Sequence, residues 1–345
     1  MFELMDELFV VLNARRRHRG SIDFDLPAAE FLMDDEGRVE AIVAAERNQA
    51  HRIIEECMLV ANETVAGHLE KQGTPSLFRV HEAPDPLKIE EFEDFTASLG
   101  YNLGVPSEGV TPRHFQRLLQ RLRGKSEERA VAFLMLRTMQ QARYDIQNLG
   151  HFGLAAPSYT HFTSPIRRYP DLVVHRALRE TKVAANRATA SAARLEVLPE
   201  VARHTSEMER RAGDAEREIV QWKKVRFMVD KVGDEFTGCV TGVTAFGLFI
   251  ELVEHFVEGL VHISSMADDY YTFFDRTHEL RGENSRKVYR LGDMVKVQLV
   301  RVDSDHRKLE LALMDVLERV RRRETPSRPR KSTGRPKRER TSRRQ

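Results

Sequence analysis

The chain has 345 residues, of which 41% are hydrophobic and 31% charged, with two cysteines and a formal net charge of +2. That length allows two or three domains with cores of their own, and no run of eighteen apolar residues is present to predict a membrane-spanning helix. The start, MFELMDELFVVLNARRRHRG, carries its charges behind its apolar part, the reverse of a signal peptide.

Residues 1–17 read as a helix with an apolar stripe at Met1, Met5, Leu8, Phe9 and Leu12. SIDFDL and RVEAIVAA read as short strands separated by the turn DDEG. NQAHRIIEECMLVANETVAGHLEKQG is a long helix, with a wide buried face expected from Ile53, Ile54, Cys57, Met58, Val60, Ala61 and Val65. SLFRVHEAP is a strand entering a loop. Several helices follow between Lys88 and Asn148, broken by LGYNLGVPSEGVTP, and AAPSYTHF is an extended segment. Cys57 and Cys239 lie far apart and outside any CxxC or metal-ligand spacing, which suits small buried side chains in a reducing, cytoplasmic compartment.

The next stretch, THFTSPIRRYPDLVVHR, predicts a helix capped by Ser164 with Pro165 at its first position. That reading puts Arg167 and Arg168 in the first turn, where the helix dipole favours acids instead. Asp171 stands three residues from Arg168 and four from His175, so it can hold the arginine, the histidine or each in turn. An arginine projecting from such a helix end could grip a phosphate, or it could form a solvated structural pair. A further helical run covers Arg187–Lys224.

From VDKVGDEF the texture changes. EFTGCVTGV, FGLFIEL, VEGLVHI, KVYRLGDMVKVQLVRVD and KLELAL are short alternating strands, and five of them in about 80 residues predict a small barrel. Phe246 and Phe249 flank its GLF turn, His262 follows VEGLV, and Lys296 and Arg301 add charge, a set suited to stacking bases and holding a backbone. Simple alternation cannot place both rings in the core. Asp269, Tyr270, Tyr271, Phe273 and Phe274 form an aromatic-rich turn that could extend that surface. From Arg319 to Gln345 there are thirteen Lys or Arg against two Glu, a net of +11 that leaves −9 for the rest. Such a tail cannot repay its ordering entropy and is expected to be disordered. A basic tail on an acidic body suits a phosphate polymer.

Two carboxylate pairs also stand out. Asp23 and Asp25 would share one face of a strand and could bind a divalent metal or pair structurally. Glu55 and Glu56 lie on the long helix, one of them turned inward or towards a groove.

THFTSPIRRYPDLVVHR resembles the signature late in the catalytic domain of RNase II/RNase R-type exoribonucleases. RGSIDFDLP, HRIIEECMLVAN and AEREIVQW resemble further segments of that family in the same order. FTGCVTGVTAFGLFIEL and VEGLVHIS resemble the S1 RNA-binding barrel that follows. The resemblance implies an α+β chain: an incomplete mixed α/β catalytic domain over 1–230, an all-β OB-fold (S1) barrel over 231–316 and a disordered basic tail over 317–345.

It also implies hydrolysis of RNA from the 3′ end to nucleoside 5′-monophosphates with Mg²⁺, on single-stranded or 3′-extended RNA. The expected state is a monomer without membrane contact, with the ribosome or structured RNA as further partners. Arg167 matches the arginine that contacts the scissile phosphate, with Arg168, Asp171 and His175 as its support. Glu55 or Glu56 would approach the RNA path, and Glu216 matches a glutamate near the active centre of some members. Phe246, Phe249 and His262 match the usual S1 face. The family's aspartate segment, roughly DDxxxxxDxDD, does not occur in this sequence. The chain therefore reads as the C-terminal part of a larger enzyme, inactive alone. The competing reading is a non-catalytic protein that binds single-stranded RNA.

Overall fold

The computed structural model describes residues 1–24, 29–106, 109–125, 127–182 and 187–324. The α+β expectation holds. A mixed region rich in helices is followed by a closed five-stranded barrel.

Helix α1 (Phe2–Arg19) packs on α2 (Gln49–Lys71), with the hairpin β1 (Ala29–Met33) and β2 (Val39–Ala44) between them in sequence. The strand before DDEG is thus AEFLM, whereas Ser21–Phe24 is extended without strand pairing and Asp25 lies outside the described residues. The expected apolar stripe of α1 is largely bare. Phe9 and Arg16 are buried, while Met1 and Leu8 stay exposed, because one partner helix covers only a narrow strip. The buried positions of α2 are Glu56, Asn62, Ala66 and Leu69, whereas Ile54 and Val60 face outward. The hydrophobic pattern placed the helix correctly, but the face that is sealed is the one with polar partners.

Helix starts follow local chemistry. Asn48 accepts the His51 N–H at 3.0 Å, and Asp85 accepts the Leu87 N–H at 2.9 Å ahead of Pro86, at the head of α3 (Pro86–Ser98). Helices α3, α4 (Pro112–Leu122) and α5 (Glu128–Thr138) enclose a core of Phe92, Phe95, Phe115, Leu118 and Met135. Strand β3 (Phe78–Val80) pairs antiparallel with β4 (Arg143–Asp145), which interrupts the helical stretch predicted between Lys88 and Asn148. Helix α6 (Tyr169–Lys182) and the 41-residue α7 (Arg187–Phe227) follow.

The barrel runs β11-β12-β7-β6-β5, from β5 (Glu235–Thr244), β6 (Gly247–Leu252), β7 (Val257–His262), β11 (Met294–Asp303) and β12 (Lys308–Leu313). Its interior, lined by Val240, Leu248, Ile250, Val261, Leu299 and Leu311, continues into Val225 and Met228 and into Ile42 of β2, so the barrel is packed against the first region.

The aromatic-rich segment is not a turn. It contributes β8 (Tyr271–Phe274) to a separate sheet with β9 (Glu279–Gly282) and β10 (Val288–Arg290), and KVYRLGDMVKVQLVRVD divides between β10 and β11. The start of the basic stretch lies in α8 (Met314–Glu324), where Arg319 reaches buried Asp268 at 3.2 Å. Residues 325–345, which hold most of the basic tail, lie outside the described residues.

Candidate nucleic-acid interface

Helix α6 begins at Tyr169, not after Ser164. Residues 165–167 form a turn in which the Arg168 N–H donates to the Ser164 carbonyl at 3.0 Å. Both arginines therefore precede the helix, and the residue in its first turn is Asp171, an acid where the dipole favours one. Asp171 is wholly buried and organises the turn, accepting the Ser164 N–H at 2.7 Å and Arg168 Nη2 at 2.8 Å. Arg168 is thus held half-buried. Arg167 is exposed, and its guanidinium pairs with no described residue. His175 does not join Asp171. It stacks on Phe162 at 4.0 Å and makes a 2.9 Å bond to the Phe162 carbonyl, while Asp171 is taken by Ser164 and Arg168.

The wall beside this turn was not anticipated. Asn62 of α2 donates to the Tyr159 hydroxyl at 3.0 Å and accepts the Phe162 N–H at 3.0 Å, while Thr160 donates to the Leu77 carbonyl, clamping residues 156–162 between α2 and β3. Tyr159 and His161, two apart in an extended segment, share a face. His81, His151, Tyr159, His161 and Tyr144 then form a run of edge-on rings, with centroids 5.0–5.9 Å apart.

Arg79 lies 4.8 Å over the Tyr144 ring and pairs with Glu209 of α7. Burial, reinforced by neighbouring cations, depresses the His151 and His161 pKa values to about 3, and burial lowers that of His81. The three imidazoles are therefore neutral near pH 7. The alternation in SYTHF directly before the arginines was the signal that could have exposed Tyr159 and His161. Arg79 and Tyr144 come from strands distant in sequence and gave none.

The glutamates separate cleanly. Glu56 is buried and accepts both Arg16, at 2.7 Å, and Asn13, at 2.9 Å. Glu55 is half-exposed and pairs with Arg47, which also reaches Asp23 at 3.4 Å. Glu216 is exposed on α7, two turns beyond Glu209 and so about 10 Å further along the helix. No group of three or more His, Cys, Asp or Glu among the described residues is placed to hold a metal ion, so the residues present do not fit the Mg²⁺ that the resemblance implies.

On the barrel, Phe246, Phe249 and His262 come together. Phe246 occupies the turn rather than the strand, so alternation does not govern it, and its half-exposed ring meets Phe249 edge-on at 5.8 Å. Gly247, at φ +152°, stands opposite His262. A Cβ there would lie 2.1 Å from the Val261 carbonyl oxygen, so only glycine lets the turn close this tightly. Gly242 faces Phe249, and a Cβ in its place would press on that ring at 3.2 Å.

Lys296 and Arg301 are not beside this cluster. Arg301 lies on β11, which β5 separates from β6 and Phe249, and it pairs instead with Glu310 of β12. Lys296 is registered with Thr237, at the other end of β5 from Gly242. Neighbouring strands are about 4.8 Å apart, so the two steps from β11 across β5 to β6 cover about 10 Å.

The RNB domain family matches residues 1–184, and the S1 RNA binding domain family matches residues 229–313. The chain is 46% identical over 316 residues to Ribonuclease R of Aquifex aeolicus, covering 92% of this chain and 44% of that one. It is 40% identical over 319 residues to Ribonuclease R of Escherichia coli, covering 90% and 39%. It thus spans less than half the length of these relatives. Among solved structures, Mycoplasma genitalium RNase R in complex with ribose-methylated single-stranded RNA superposes with a TM-score of 0.85 at 27% identity, over 91% of this chain and 49% of that one. The same protein in complex with double-stranded RNA gives 0.77 at 25% identity, over 91% and 50%. No described helix is long and apolar enough to cross a membrane.

Proposed function

Because the chain belongs to the RNB-domain family of ribonuclease R, we propose that it supplies the phosphate-gripping and RNA-feeding parts of a 3′–5′ exoribonuclease that releases nucleoside 5′-monophosphates. The observation that carries this reading is the turn at 164–171. A buried carboxylate holds one arginine in place and leaves the next one exposed and unpaired. A guanidinium fork presented in this way suits two oxygens of a phosphodiester. Arg167 is the residue for the scissile phosphate, while Arg168 and Asp171 set its position. Glu55, the exposed member of its pair, is the glutamate on the RNA path. Glu56 is structural. Mg²⁺ would supply water activation in the full catalytic assembly, on carboxylates that the described residues do not bring together.

The barrel feeds single-stranded RNA by stacking on Phe246 and Phe249 beside His262, and the basic tail adds sequence-independent attraction that salt weakens. Lys296 and Arg301 contact the strand only where it continues round the barrel.

A protein of these 345 residues alone is expected to bind RNA but release almost no monophosphate, even with Mg²⁺. Incubation with a 3′-extended RNA and chromatography of the products checks this. Processive release that follows the protein through purification would overturn it. The competing reading, a binding protein without hydrolysis, is favoured if a chain preceded by a relative's aspartate-bearing half also releases nothing.

The barrel role has its own expected result. Stacking is worth about 1–3 kcal/mol per base, so Phe246→Ala with Phe249→Ala should weaken oligouridylate binding by at least tenfold at moderate salt. Unchanged affinity with the barrel folded, by circular dichroism, would reject this face.

A further inference from the structure

His161 is a neutral group placed among cations. Arg79 on β3 and Arg167 and Arg168 on the turn lie close enough for their charges to disfavour its protonation, and burial disfavours it more. The other titratable groups around it are Tyr144 on β4, His151 and Tyr159 in the ring run, Asp171 of α6 on Arg168 and Glu209 of α7 on Arg79. His161 Nδ1 and the Tyr144 hydroxyl are 2.8 Å apart. Burial pushes the Tyr144 pKa up to about 12, so this hydroxyl keeps its proton. Among the described residues the proton has no acceptor other than Nδ1. A neutral imidazole carries one N–H and one acceptor nitrogen, so if Tyr144 donates to Nδ1 the N–H is on Nε2. No described residue accepts from it.

We propose that Tyr144 locks His161 in the Nε2–H form, so that His161 donates to a backbone oxygen of the RNA strand whose neighbouring phosphate Arg167 grips. This rests on the RNA reading of the site. The physical sense of a histidine here is that a fourth cation beside Arg79, Arg167 and Arg168 would be repelled, whereas a neutral imidazole adds a donor without adding charge. The contact therefore does not titrate across the range where free histidine does. His161 Nε2 is not among the buried polar atoms that lack a partner, so this donor is open to solvent and to a strand that takes the place of water.

Long-range ¹H–¹⁵N correlation on the histidine-labelled full chain tests this, with His161→Gln identifying the His161 signals. His161 should show the Nε2–H tautomer unchanged from pH 8 to pH 5, and a short oligouridylate should move its Nε2 signals. Tyr144→Phe should release the tautomer. His161→Ala should weaken oligouridylate binding about three- to tenfold, as for loss of one neutral hydrogen bond. His161→Gln, whose amide reaches the place of Nε2, should restore most of it, and His161→Asn should not. An equal response to an oligodeoxynucleotide would identify the acceptor as phosphate, and a response to RNA alone would identify it as the ribose hydroxyl. An Nδ1–H tautomer, titration near the ordinary value of about 6.5, or unmoved His161 signals while anisotropy shows the oligonucleotide bound would overturn the inference. A chain that binds no RNA at all would instead overturn the RNA reading beneath it.

Discussion

Arg167→Ala, placed in a chimera that joins this chain to the aspartate-bearing half of a ribonuclease R relative, is expected to lower single-turnover cleavage by about 10²–10³-fold, as for loss of one transition-state donor. RNA affinity should barely change, because it is spread over the barrel, the tail and the rest of the strand's path. Arg167→Lys should recover little, since an ammonium does not reproduce the guanidinium fork. Arg168→Ala is the internal comparison. Its guanidinium is engaged with Asp171 at 2.8 Å, so its loss should act through the shape of the turn and affect stability as well as rate. A fully active Arg167→Ala chimera would remove Arg167 from the chemistry.

Glu56→Ala is expected to be the most destabilising single change among the candidate site residues. Arg16 and Glu56 are both buried, with side chains 8% and 4% exposed, and Asn13 also depends on the same carboxylate. Removing one partner of such a pair leaves a buried uncompensated charge and costs about 3–5 kcal/mol. In a domain of this size that corresponds to a drop of roughly 10 °C in the unfolding midpoint. Glu55→Ala removes only a solvent-screened pair with Arg47, worth no more than about 1 kcal/mol, and should leave the midpoint nearly unchanged. Calorimetry of both variants separates the structural glutamate from the accessible one. Equal midpoints would mean that the buried pair does not hold α1 to α2.

Much of this protein was legible along the chain. The long helix over 48–73, the helical run from Arg187 and the five barrel strands follow from periodicity and turn residues, which are local properties of the sequence. The resemblance carried by THFTSPIRRYPDLVVHR placed the arginine pair in an RNA-cleaving context for the same reason, since the motif is contiguous.

What stayed hidden depends on residues distant in sequence meeting in space. Ser164 looked like a helix cap because nothing local reveals that its N–H is taken by Asp171, seven residues on, and the helix start moves to Tyr169. Glu55 and Glu56 are neighbours that no local rule distinguishes. Arg16, forty residues away, makes one structural and leaves the other to the surface. Lys296 and Arg301 read as neighbours of the aromatic pair until the strand order of the barrel put β5 between β11 and β6. Local propensity and hydrophobic period determined which elements form. Burial, which assigns each polar group its partner and each imidazole its charge, was decided only when α2, β3, β4 and the arginine turn packed together.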